Sequence, residues 1–152
     1  MSRLLAASEL IVEHLRAKLT TVPVANIRAA IDFQWVITNP ISPSIAVIFY
    51  DDVPVSSSRD GTSITSDQYW LVLVTVRNVR DIGISCLQNT GEIGESMLIA
   101  LQGFVPSKLH SPLIRTRCPY RKTTRYELDK KNDGYIHLPF MFTCKIVTNS
   151  TP

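Results

Sequence analysis

Cysteine is scarce in this 152-residue chain: Cys86, Cys118 and Cys144 are odd in number, far apart and never spaced C-x-x-C. That pattern excludes a disulfide framework and offers no zinc site, so reduced thiols are expected. Cys144 falls in register with the apolar side of the last strand, where a thiol behaves as a small hydrophobe. Long apolar runs are also missing. Pro and Ser clusters break each one well short of the roughly 18 to 20 residues a membrane-spanning helix needs. The opening stretch, Met1 to Ala7, gives way to Glu9, Glu13, His14 and Arg16, which interrupt any leader core, so the chain is expected to stay in the cytoplasm. Net charge is only +3, too mild to indicate nucleic acid by itself.

Signatures of catalysis and of cofactor binding are lacking too. Ser96, in Gly94-Glu95-Ser96-Met97, lies inside a helical pattern and lacks the second glycine of a nucleophile elbow. His14, His110 and His137 have neither i,i+4 partners nor clustered cysteines, and read as surface or boundary histidines. Asp51, Asp52 and Asp60 do not follow calcium-loop spacing, and a solvated acidic loop is the simpler reading. Gly91-x-x-Gly94 is not followed by the Gly-Lys-Ser/Thr ending of a phosphate loop. No catalytic residue, metal or cofactor is therefore expected.

What is present is scaffold. A hydrophobic content of 45% can build a real core, and one domain over residues 1–152 is expected. From Ser8 to Leu19, Ile11, Val12, Leu15 and Leu19 recur at helical spacing, with Ser8 a candidate N-cap. Val24 to Val36 is ambiguous: Ala25, Ile27, Ala29 and Ala30 permit a short helix, and Phe33 to Ile37 permit a strand. Asn39-Pro40-Ile41-Ser42-Pro43 cannot be regular structure. Ile45 to Tyr50, apolar on both faces, predicts a central strand; Asp51 to Asp67 predicts the long polar turn of a hairpin, mobile unless a partner orders it; Gln68 to Asn78 predicts the returning strand.

The main helix is expected within Ser85 to Gln102, with a stripe of Ile93, Met97, Leu98 and Leu101, Gly94 permitting close approach to the sheet, and Gly103 as its left-handed cap. The last strand, Ile136 to Val147, alternates: Ile136, Leu138, Phe140, Phe142, Cys144 and Ile146 on one side, Tyr135, His137, Met141, Thr143 and Lys145 on the other. Pro139 cannot donate to a ladder and predicts an edge or a bulge there, a natural attachment point for another subunit.

Charge is separated along the chain. Asp51, Asp52, Asp60 and Asp67 gather early, while Arg115, Arg117, Arg121, Lys122, Arg125, Lys130 and Lys131 concentrate late, with Tyr120 and Tyr126 among them. Such interleaving suits phosphates and bases, but Pro119, Glu127 and Asp129 and the lack of a nucleic-acid-binding motif favour a solvated loop or a charged protein contact. Asp51, Asp52 and Asp60 on one side, and Arg115, Arg117, Arg121, Lys122 and Arg125 on the other, are the candidate interface residues, with Asp51, Asp52 and Asp60, on another subunit or on a neighbouring protein, expected to face Arg121, Lys122 and Arg125 across an interface.

Several stretches carry a resemblance. The strand ending Val76-Arg77-Asn78-Val79-Arg80-Asp81, the helix from Gly91-Glu92-Ile93-Gly94 to Leu101-Gln102-Gly103-Phe104, then Pro106-Ser107, Ser111-Pro112-Leu113 and the closing Gly134-Tyr135-Ile136-His137-Leu138-Pro139-Phe140 together resemble the tail-terminator family of contractile-tailed bacteriophages. The resemblance spans nearly the whole chain and is vague before Ile45. It implies an α+β subunit, with a mixed or antiparallel sheet and a long hairpin packed against two main α-helices. It also implies a structural virion protein that forms a hexameric ring at the head-proximal end of the tail, assembled in the host cytoplasm. The implied partners are the tail tube protein, the tail sheath protein and a neck or head-completion protein, with DNA passing through the lumen without specific binding and no membrane. The rival readings are another neck or minor tail protein, or a small nucleic-acid-binding domain.

Overall fold

The computed structural model describes residues 5–30, 32–77, 83–120 and 135–149. Its elements run α1 (Ala6–Lys18), a 3-10 turn (Val24–Asn26), β1 (Ile27–Ala30), α2 (Phe33–Thr38), β2 (Ser44–Ser57), β3 (Ser63–Arg77), α3 (Gly83–Leu101), β4 (Ile114–Thr116) and β5 (Tyr135–Asn149). The strands form one sheet in the order β1-β2-β3-β5-β4. β1 pairs with β2 in parallel and the other neighbours are antiparallel, so the sheet is mixed and the fold is α+β.

β3 and β5 pair from Ser63↔Asn149 to Arg77↔Tyr135 without a register shift, a ladder on the order of 50 Å long. The sheet is dry on both faces at its centre, and so Ile45–Ile48 and Trp70–Val74 read as unbroken apolar runs. On one face, Ala7, Ile11 and Leu15 of α1 and Ile93, Met97 and Leu101 of α3 pack against Val47, Trp70, Val72, Phe142 and Cys144. On the other, Val36 and Ile37 of α2, with Cys118, cover Ala46, Ile48, Leu71, Leu73 and Met141. Cys118 and Cys144 are buried, and burial pushes the Cys144 thiol up to about 11.

Several expectations hold locally. Gly103 adopts φ +79° after α3, the left-handed conformation that caps a helix. A Cβ at Gly94 would stand 3.3 Å from Cζ of Phe140 and 3.5 Å from Cδ2 of Leu138, so α3 rests on β5 through a missing side chain. At Pro139 the described pairing of β5 with β4 has already stopped, at Met141, and the β3 ladder has no bulge there, so among the described residues the strand is an edge at that point.

Four expectations change. Ser8 does not cap α1: the helix starts at Ala6, and the Ser8 hydroxyl donates back to the carbonyl of Leu5 at 2.9 Å. The ambiguous stretch resolves the opposite way from either reading. Ile27–Ala30 is a strand because it zips in parallel onto Ile45–Ile48, and Phe33–Thr38 is a helix because Asp32 accepts the Trp35 N–H at 2.7 Å as its N-cap. The Asp51–Asp67 segment is not a long loop, since β2 continues to Ser57 and β3 begins at Ser63. Pairing with the far end of β5 gives the outer half of β3 a partner for its backbone groups.

His137, finally, is not at the surface. It is fully buried on the α2 side of the sheet, with its Nδ1 3.0 Å from the Thr75 hydroxyl. Desolvation pushes its imidazole from 6.5 down to about 4. The unfolded chain therefore takes up a proton before the folded one as pH falls, so His137 costs nothing above pH 6.5 and its penalty grows until about pH 4. Urea unfolding across this window should show wild type losing roughly 3 kcal/mol more than a His137→Asn variant, whose curve lacks this titration. Gly94→Val should destabilise the fold by about 1–3 kcal/mol through overpacking against Phe140, measured in the same assay.

Candidate interface

The sheet carries opposite charge on its two rims. β1 covers β2 only as far as Ile48, so among the described residues nothing pairs with the outer side of β2 from Phe49 onward. Along this rim lie Tyr50, Asp51, Val53 and Val55, all exposed, and the half-buried Asp52. Register shifts fall between Phe49 and Asp51 and between Pro54 and Ser56. Two irregularities and a proline blunt the rim against addition of another strand. Asp51 Oδ1 accepts the N–H of Asp52 at 2.8 Å. Asp52 stands opposite Gln68, on the α1 and α3 side of the sheet, and its Oδ1 is shielded from solvent without a hydrogen-bond partner among the described residues.

Asp60 has a different task. The hydroxyls of Ser58 and Thr62 donate to its Oδ1 at 2.7 and 2.8 Å, and the Thr62 N–H adds a third bond at 3.2 Å. With Gly61 at φ +73°, this closes a tight hairpin tip and holds the Asp60 carboxyl at about 2. Asp51 and Asp60 are separated by the arm of the hairpin, about 20 Å at strand rise. The early acids thus do not form one cluster, and Asp67 is taken up by Lys145 at 2.8 Å. Among the described residues no group of three His, Cys, Asp or Glu side chains could hold a metal ion.

At the other rim, β4 pairs with Thr143 to Met141 of β5 and then departs from it. The divergence opens a cleft of about 430 Å³ lined by Arg115, Arg117, Leu138, Pro139, Phe140 and Met141. The Arg115 guanidinium lies 5.1 Å from the Phe140 ring centroid, a cation–π contact that leaves its outer edge available. From here the chain crosses the α2 side of the sheet: Cys118 is buried, and Tyr120 stacks on Phe33 at 4.6 Å and meets Tyr50 edge-on at 6.0 Å. Arg121, Lys122 and Arg125 lie outside the described residues, so of the predicted cations the structure places Arg115 and Arg117 alone. Sequence reading missed Phe140 as the support of Arg115. The one available signal is an aromatic on an edge-prone strand, and the alternation of β5 places Phe140 in the core, where it also belongs.

A second groove, of about 420 Å³, runs between α1 and α3 beside His14, Lys18, Ser96 and Ile99. His14 Nε2–H donates to the Ala100 carbonyl at 2.9 Å and its ring stacks on Phe104 at 3.9 Å, which makes it a brace between the helices. No helix among the described residues is long and apolar enough to cross a membrane.

The arrangement presents two different rims and a long two-stranded arm. The sequence model of a family described as phage tail terminator protein matches residues 1–151. Among solved structures, the fold is similar to the sheath/tube terminator, in the extended state, of the extracellular contractile injection system PVC, determined by cryo-EM, with a TM-score of 0.55 and 9% identity. That match covers 98% of this chain but 57% of the injection-system chain, so this chain spans little more than half of that relative's length. No curated protein matches the chain.

The hairpin tip gives a direct check. In an NMR pH titration Asp60 should titrate at about 2, and Ser58→Ala should move it up toward 3.8, because the largest of its lowering hydrogen bonds is gone.

Proposed function

Since the chain belongs to the phage tail terminator protein family, a structural component of the virion tail, we propose that it closes the head-proximal end of the tail as a hexameric ring. The ring sits on the last tail-tube ring, halts polymerisation of tube and sheath, and presents its other side to the neck or head-completion protein. It acts by shape and self-association, without substrate turnover. DNA passes through its lumen without specific binding, since tight phosphate contacts would slow passage. Assembly takes place in the host cytoplasm.

The observation that carries this reading is the family match over residues 1–151, with the two unlike rims as its physical counterpart. A ring of head-to-tail contacts needs two different, complementary surfaces on each subunit. An acidic rim on β2 and an arginine-lined rim at β4 and β5 supply that asymmetry. The expected pairing of Asp51, Asp52 and Asp60 with Arg121, Lys122 and Arg125 belongs to the same proposal. Within it, Asp60 is the weakest member because its carboxylate already holds the turn together.

Particles assembled without this chain should carry tails of irregular, excessive length and few joined heads, scored by electron microscopy. Tails of normal length, or turnover of a small substrate by the isolated chain, would overturn the reading. Charge reversal at Arg121 and Arg125 should impair ring formation in mass measurement; unchanged rings and unchanged tail joining would remove those two residues from the contact.

A further inference from the structure

We propose that the arginine cleft between β4 and β5 receives Asp51 and Asp52 from the opposite rim of a second copy, so that adjacent subunits meet through these two rims. The inference rests on the ring reading above and specifies its contact. β2 and β4 lie on opposite sides of the β3–β5 pair, so one subunit cannot bring its own rims together. Among the described residues neither set of charges is paired at home. The described ion pair is Lys145 with Asp67, and among the described residues Asp51, Asp52, Arg115 and Arg117 have no ion-pair partner.

Asp51 is exposed and Asp52 half-buried, so a guanidinium from outside can meet this rim. Arginine suits the task, because its planar fork matches a carboxylate with two parallel N–H donors. The Phe140 ring under Arg115 holds one of these forks in place before any partner arrives. A cleft of about 430 Å³ has room for a short acidic side chain, and Asp51 and Asp52, successive on their strand, offer one carboxylate to each face of the rim. Pro54 and the flanking register shifts on one rim, and Pro139 on the other, oppose a continuous backbone ladder between copies. The contact is therefore made by side chains.

Two charge-reversed chains test this. One carries Asp51→Lys and Asp52→Lys, the other Arg115→Glu and Arg117→Glu, and circular dichroism with thermal melting establishes that each folds. Alone, each presents like charges to its own neighbour, and its ring population, in solution or on purified tail tubes, should fall about tenfold or more. Mixed in equal amounts, the two become complementary at every contact of an alternating ring, and rings should return, with both chains present by native mass spectrometry. Full ring formation by either folded variant alone, or no recovery on mixing while wild type assembles, overturns the proposed contact and leaves the ring reading standing. Absence of wild-type rings both in solution and on tail tubes defeats the ring reading, and this contact with it.

Discussion

The structure depends on the burial of β3. Trp70, Leu71, Val72, Leu73 and Val74 are each no more than 1% exposed, with helices α1 and α3 over one side of the strand and α2 over the other. At roughly 1.5–3 kcal/mol for each large side chain removed from water, these residues contribute on the order of 10 kcal/mol, comparable with the net stability of an ordinary domain. A strand dry on both faces fixes its neighbours as well, because its buried backbone groups need partners along the full length. β2 and β5 supply them, and the outer arm of the hairpin, which has no helix over it among the described residues, remains strand because that pairing continues past the core.

A sheet with so strong a centre risks sticky edges, and the chain manages both of them. Pro54 and two shifts of register interrupt the β2 rim, and β4 is a mere three residues, Ile114–Thr116. The far part of β5 is sealed from within. Its Val147 N–H reaches the Leu109 carbonyl, and Lys145 N–H donates to the Ser111 hydroxyl at 2.7 Å while the Lys145 carbonyl accepts from Ser111 N–H. Backbone groups along the described edges are thus kept from indiscriminate pairing.

The sequence was legible where one interaction dominates. The alternation of β5, the helical stripe of α3, the glycine cap and the proline-imposed edge are each decided within a few residues of one another. It misled where distant pairing decides. Ile27–Ala30 has the alanine content of a helix and becomes strand because Ile45–Ile48 lies beside it, a contact that local propensity does not contain. The polar outer arm read as loop for the same reason, its partner being the far end of β5. His137 read as wet because alternation was taken to mean one dry face, whereas both faces are covered at the middle of this sheet. Of the candidate interface, the separation of charge is visible in the sequence and its geometry is not: Arg115 lies over the Phe140 ring, and the Asp60 carboxylate is engaged in the hydrogen bonds of its own turn.

Phe140 belongs to two structures at once. Its Cζ lies 3.3 Å from where a Cβ on Gly94 would stand, and the Arg115 guanidinium lies over the ring. The helix layer and the cleft wall are therefore two surfaces of a single side chain. Positions 94, 115 and 140 are bound to drift together: a bulkier residue in the helix demands a smaller ring in the strand, and a smaller ring takes away the shelf on which the arginine rests. A substitution that alters the cleft wall at Phe140 therefore also alters the seat of α3.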